Sequence, residues 1–299
     1  MVLIDSELNA ELSNSLKIRH FFDEDFHVKR FHLEEYDRDY DVFKLFTDKK
    51  SLILKKLASK NELEANRLLS KLSCDFVPEI YFFESTGEEW IAMEEIISLT
   101  RSMKKSDLIE LTSKLVDLYS KSKDYIETCL DLRCWSTTPA DLLLKLEGDD
   151  LTQEDIRIIE ISENILNRSY KAFIHGDLIP LNMIVSNDGV KVLDWEHGKF
   201  GPYILDLSRL LGDYNINRPW IDPEWEEDIL NVYYEMLKAR NIVDSYEQMK
   251  LEYECGKLHN YFGIIRAFKV HGWERIDWYD LNMSKLHDTI KSIKEHLSM

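Results

Sequence analysis

Residues 174–196 read IHGDLIPLNMIVSNDGVKVLDWE. Two aspartates and an asparagine stand here against apolar runs. Phe173 and Ile174 lead into Asp177, and Val190, Val192 and Leu193 lead into Asp194. Burying a carboxylate without a partner is costly, so carboxylates at the ends of apolar strands point to chemistry. Asp177, Asn182 or Asp194 alone would read as a turn, a cap or a strand end. Together, in this order and at this spacing, they read as one set.

The rest of the chain bounds what that set can do. Its 299 residues suffice for one large core or two lobes. A 44% apolar and 31% charged composition is that of a soluble globular protein. The formal net charge of −18 disfavours nucleic-acid partners, which need basic surface, and attracts cations. Cys74, Cys129, Cys134 and Cys255 form no C-x-x-C pair and no zinc spacing, and they read as reduced thiols of a cytosolic protein. The opening MVLIDSELNAELSNSLKIRH lacks the long apolar core of a signal peptide. No apolar run approaches the ~20 residues that span a membrane.

Two textures divide the chain near residue 98. Before it, strand signals recur at 26–33, 41–46, 51–57, 79–85 and 90–96, with a TGEE hairpin turn between the last two. One helix interrupts them, NELEANRLLSKL (61–72), with Asn61 as its cap. After it, helical spacing dominates. Residues 105–127 start at a Ser106 cap and place Leu108, Leu111, Leu115 and Leu118 on one face. Residues 138–146, 153–170, 223–254 and 257–270 are also helical by pattern, and 173–195 reads as short strands and a loop. The expected fold class is α+β: a small N-terminal antiparallel-sheet lobe with one helix (1–97) and a larger, mainly helical C-terminal lobe (98–299).

HGDLIPLN spans His175 to Asn182, and its Asp and Asn have the separation of those in the protein-kinase loop H-R-D-L-x-x-x-N. VKVLDWE then delivers Asp194 where kinases place the aspartate of D-F-G. Phosphoryl transfer needs a residue to orient or deprotonate the attacking hydroxyl, and oxygen ligands to hold magnesium on the phosphates. Asp177 fits the first role; Asn182 and Asp194 fit the second. With H-G-D for H-R-D and D-W-E for D-F-G, the chain resembles the aminoglycoside phosphotransferase and choline kinase superfamily, small-molecule kinases with a protein-kinase-like fold. GKFGPYILDLSRLL (198–211) resembles that superfamily's G-x-P-x-x-D-L segment. There Asp206, like His175, would be structural.

The resemblance extends upstream, covering roughly residues 25 to 215. It implies that Lys55 of LILKK is the phosphate-binding strand lysine, with Lys56 the competitor on the opposite face. It implies Glu64 as the lysine's partner, with Glu62 the second choice. Met93 would back the adenine pocket, and the backbone carbonyl of Glu94 and amide of Ile96 would read the base edge. The implied donor is ATP or GTP with Mg2+. One departure is plain. EEYDRDYD (34–41) stands where kinases have a glycine-rich loop over the phosphates, and the first glycine of the chain is Gly87. Glu35, Asp37, Asp39 and Asp41 would repel phosphates there, leaving Arg38 as the helpful charge.

The acceptor would lie over Asp177 against the C-terminal helices. DPEWEED (222–228) and GWERIDWYD (272–280) combine carboxylates with aromatic rings, which suits a cationic hydroxyl compound. Asp222, Glu226, Trp273, Asp277 and Trp278 are the candidate contacts. An aminoglycoside-like antibiotic is the leading acceptor, and choline, an amino sugar or an amino alcohol the alternative. A non-catalytic kinase-like scaffold is the reading from another class.

Overall fold

The computed structural model describes residues 2–34, 37–99, 101–128, 131–135, 151–212, 221–271 and 276–298. The chain forms two compact units: Met1–Arg101 with Met183–Glu196, and Ser102–Asn182 with His197–Met299.

The first unit is built on a six-stranded sheet in the order β1-β2-β3-β4-β6-β5. Its strands are β1 (Val2–Asp5), β2 (His27–Leu33), β3 (Arg38–Phe46), β4 (Ser51–Lys56), β5 (Ile80–Ser85) and β6 (Glu89–Met93). Every neighbouring pair is antiparallel. Side chains alternate across a strand, so β4 sends Leu52 and Leu54 to one face and Ile53 and Lys55 to the other. On the first face, Leu52 and Leu54 join Phe43, Leu45, Trp90 and Ala92 beneath Leu12 of α1 (Ala10–Ser13) and Ile18 and Phe22 of α2 (Leu16–Phe22). On the other, Ile91 and Leu57 pack on Leu63 of α3 (Lys60–Leu72).

Three local expectations change here. The N-terminal strand and the two short helices carry too few periods to be read from pattern; they are fixed by the Asn9 and Ser15 caps and by burial of Leu12, Ile18 and Phe22. Ser59, not Asn61, caps α3, its side chain accepting from the Glu62 amide, while Asn61 Nδ2 donates to the Glu196 carbonyl at 3.0 Å. The stretch 38–41 belongs to β3 rather than to a loop over phosphates. Asp39 pairs with Arg30 at 3.1 Å and hydrogen-bonds His32 at 2.9 Å, and Asp41 pairs with Arg30 at 2.6 Å, so the cross-strand Arg30 offsets charge that looked unbalanced. Glu35 lies outside the described residues. The chain returns to this unit as a hairpin of the antiparallel strands β9 (Met183–Ser186) and β10 (Gly189–Val192).

That second unit is mainly helical. It contains α4 (Lys105–Ser122), α5 (Gln153–Arg168), α6 (Ile204–Leu211), α7 (Glu226–Ala239), α8 (Tyr246–His271) and α9 (Ile276–Leu297). A three-stranded sheet orders β7 (Arg133–Cys134), β11 (Lys199–Pro202) and β8 (Lys171–Ile174) as β7-β11-β8. Leu108, Leu111, Leu115 and Leu118 are buried together, as their spacing predicts. Asp107, which accepts from the Lys104 amide at 2.8 Å, marks the start of α4 rather than a Ser106 cap. The expected helix 223–254 is interrupted after Ala239, where Asn241 takes a left-handed φ of 54°. Gly256 does not break α8. A Cβ there would come within 2.5 Å of Ser208 Oγ, so the glycine permits close packing on α6. The helix expected at 138–146 lies outside the described residues. A sheet unit and a helical unit together make the α+β class.

Candidate functional site

In the sheet unit, the alternation of β4 and the Ser59 cap decide the geometry. Lys55 Nζ reaches Glu62 Oε1 at 2.6 Å and Asp194 Oδ1 at 2.8 Å. Glu62 is almost completely buried, and its second oxygen accepts from the Ala58 amide at 2.7 Å. The partner of Lys55 is therefore Glu62, not Glu64. Residues two apart on a helix point to different sides, and Glu64 turns away to pair with Arg67 at 2.7 Å. Lys56 points to the opposite face of the strand, pairing with Glu88 and lying 3.8 Å from Asp41. Burial pulls the Lys55 pKa down, but Glu62 and Asp194 outweigh it and leave the ammonium above its ordinary value.

Asp194 follows β10 with φ 60°, a left-handed conformation that aspartate tolerates better than most side chains. Its carboxylate is about half exposed, and Lys55 occupies one oxygen. Met93, at the end of β6, packs on the Leu57, Leu63 and Ile91 cluster. The Glu94 amide donates to the Glu79 carbonyl at 2.8 Å; its carboxylate accepts from the Glu79 amide at 3.2 Å. Ile96 follows in irregular chain and is partly buried. Arg38 lies over the ring of Tyr40, 5.6 Å from its centroid.

In the helical unit, the loop after β8 is pinned by Asp206. This fully buried carboxylate accepts from the His175 amide at 2.9 Å, the Gly176 amide at 3.0 Å and the Tyr119 hydroxyl at 3.2 Å. Burial pushes its pKa up, and those donors oppose the rise. The buried His175 ring then accepts from the Asp177 amide through Nδ1 at 3.2 Å. Gly176 explains why this loop is H-G-D. Its φ is 80°, and a Cβ would stand 2.5 Å from the His197 carbonyl oxygen, so no larger residue fits.

The Asp177 side chain is oriented by a residue the sequence reading did not single out. Arg209 Nε and its terminal nitrogen reach Asp177 Oδ1 at 3.1 and 3.0 Å. Among the described residues the other oxygen, Oδ2, has only a 3.5 Å contact with Asn182 Nδ2, which donates to the Asp177 carbonyl at 2.9 Å. Arg209 lies one helical turn after Asp206 in D-L-S-R, which puts both on one face of α6; that spacing was the available signal.

Of the residues expected to face a cationic acceptor, Asp222 and Glu226 make contacts within the protein. The Asp222 side chain caps a short turn by accepting from the Glu224 amide at 3.0 Å. Glu226 lies 3.9 Å from Lys257. Their neighbour Glu227 accepts from the Tyr246 hydroxyl at 2.6 Å and from Lys250 at 2.9 Å, and Asp228 pairs with Lys105. Trp278 is half-buried beside Phe268. Trp273 and the side chain of Asp277 lie outside the described residues.

Residues 116–246 match the model of the phosphotransferase enzyme family. No curated protein gives a sequence match. Among solved structures, a choline/ethanolamine kinase family protein from Mesorhizobium loti superposes with a TM-score of 0.64 at 11% identity, covering 97% of this chain and 96% of that one. Aminoglycoside 2′-phosphotransferase-IIIa, solved as a GDP complex, gives 0.59 at 12% identity over 95% and 99%. LicA, solved with AMP, gives 0.55 at 17% identity over 97% and 100%. At these identities the likeness is one of fold.

Proposed function

We propose that the chain transfers the γ-phosphoryl group of a magnesium nucleotide, ATP or GTP, to a hydroxyl of a small molecule. The observation that supports this best is the Asp177 carboxylate, with Oδ1 clamped by Arg209 and Oδ2 left, among the described residues, with only a long Asn182 contact. A carboxylate fixed on one side and open on the other suits the orientation of an attacking hydroxyl. In the transfer, the acceptor oxygen bonds to the γ-phosphorus and the bridging bond breaks to release a nucleoside diphosphate. The hydroxyl proton passes to Asp177.

Lys55 would hold the nucleotide phosphates, oriented by Glu62. Met93, the carbonyl of Glu94 and the amide of Ile96 would flank the base. The sheet unit would thus serve the nucleotide, and the helical unit the acceptor. The resemblance implies Asn182 and Asp194 as magnesium ligands; taken separately, Asn182 Oδ1 and Asp194 Oδ2 have no hydrogen-bond partner among the described residues. No group of three or more His, Cys, Asp or Glu side chains among the described residues makes a metal cage. Magnesium keeps waters and substrate phosphates and takes only one or two protein ligands. When bound, the ion neutralises phosphate charge; the positioning belongs to the side chains.

The test is Asp177→Asn. Magnesium-dependent nucleotide turnover should fall ~10²–10⁴-fold with nucleotide binding retained. Turnover at the wild-type rate would remove Asp177 from this role. A basic acceptor, aminoglycoside- or choline-like, is what the resemblance suggests, but the described carboxylates that would hold it are engaged within the protein.

A further inference from the structure

The surroundings of Asp177 are cationic in an otherwise acidic protein. Arg209 contacts it directly. Lys199, on β11, is in register with Ile174 on one side and with Arg133 of β7 on the other, so it sits beside the strand that leads into the Asp177 loop. Its ammonium lies within electrostatic reach of Asp206, Arg133 and Asp177.

Lys199 is also held in place. Its ammonium rests over Trp135, 5.6 Å from the ring centroid. Trp135 is fixed three ways: its amide donates to the Phe200 carbonyl at 2.7 Å, its indole N–H to Asn167 at 2.7 Å, and its ring packs at 4.6 Å on His259. His259 is itself held by the buried Glu163 at 3.0 Å. Yet the Lys199 ammonium has no hydrogen-bond acceptor among the described residues. Burial holds its pKa below the ordinary value, aided by Arg133, although Asp206 and Asp177 oppose the shift. A largely desolvated cation without an acceptor is costly, and a bound anion would relieve that cost. Lys199 with its neighbour Arg133 would repel an ammonium group.

We infer that the acceptor carries an oxyanion, a carboxylate or a phosphate, which Lys199 and Arg133 bind while Asp177 takes the hydroxyl. The inference rests on the phosphotransferase reading and names its substrate class. Here Lys199 would be a specificity-determining residue.

The test uses the full chain and a panel of small hydroxyl compounds: glycerate and glycerol 3-phosphate as anions, glycerol as neutral, and ethanolamine and choline as cations. Binding is measured by calorimetry with magnesium nucleotide present, and nucleotide consumption is followed in parallel. The anions should bind saturably, and Lys199→Gln should weaken them ~10–100-fold, the loss of one charge-assisted hydrogen bond. Lys199→Arg should restore most of the affinity. Absence of saturable anion binding, or equal anion affinity in Lys199→Gln, would overturn the inference. Consumption driven by ethanolamine or choline without anion binding would sink the inference and leave the phosphotransferase reading standing. Anion binding at Lys199 with no magnesium-dependent consumption on any compound, or without one, would sink the phosphotransferase reading instead.

Discussion

Removing Glu62 and removing Glu64 should have very different consequences, although both are glutamates on the same helix. Glu62 is 1% exposed and accepts from Lys55 at 2.6 Å and from the Ala58 amide at 2.7 Å, so its burial keeps solvent from replacing either bond. Breaking one partner of a buried pair costs about 3–5 kcal/mol. Lys55 is 23% exposed and keeps Asp194, which lowers the figure. Glu62→Ala should therefore destabilise by roughly 2–3 kcal/mol. Glu64 holds only the partly exposed Arg67 three residues on, a pair worth ~0.2–0.5 kcal/mol, so Glu64→Ala should change little. At about 2–4 °C per kcal/mol, the Glu62 variant should melt roughly 5–10 °C lower and the Glu64 variant within about 2 °C of the parent. Thermal melts followed by circular dichroism measure both. Magnesium-nucleotide affinity should fall in the first variant only, because Lys55 loses the group that orients it. Equal melting temperatures for the two variants, or a greater loss in Glu64→Ala, would refute the assignment of the Lys55 partner.

Gly176→Ala should destabilise by ~2 kcal/mol or more, since it meets both a left-handed φ and the His197 carbonyl; Gly87→Ala, with the same sign of φ but nothing within 4 Å, should cost only ~1 kcal/mol. Similar melting temperatures for the two would refute the close-contact argument. Burial lowers the Lys171 pKa to about 8, against the opposing influence of Glu252 and Glu163. The unfolded chain therefore binds the extra proton between about pH 8 and 10.4, and this group adds stability as pH rises through that window. The stability of wild type relative to Lys171→Met should increase from pH 8 to 10; parallel denaturation profiles across that range would refute the shift.

The order of Asp177, Asn182 and Asp194 was legible in the sequence because it is a pattern of residue types at short, local spacings. The resemblance named Lys55, and strand alternation, legible in the sequence, set Lys56 on the opposite face. The two textures of the chain followed from periods of 2 and 3.6, which local sequence carries directly. Other features depended on partners far away in the chain. The resemblance pointed to Glu64 from the residues that follow it on α3, but which face of the helix turns to Lys55 is set by packing, and that face carries Glu62. The acidic stretch at 37–41 looked unbalanced until strand pairing set Arg30 against it. Gly176 showed its purpose only once the His197 carbonyl was beside it. Arg209 and Lys199 have no motif of their own. One reaches Asp177 from a helix, and the other lies on a strand paired beside its loop, and only tertiary packing brings such separated charges together, where Coulomb interaction and desolvation decide what they do.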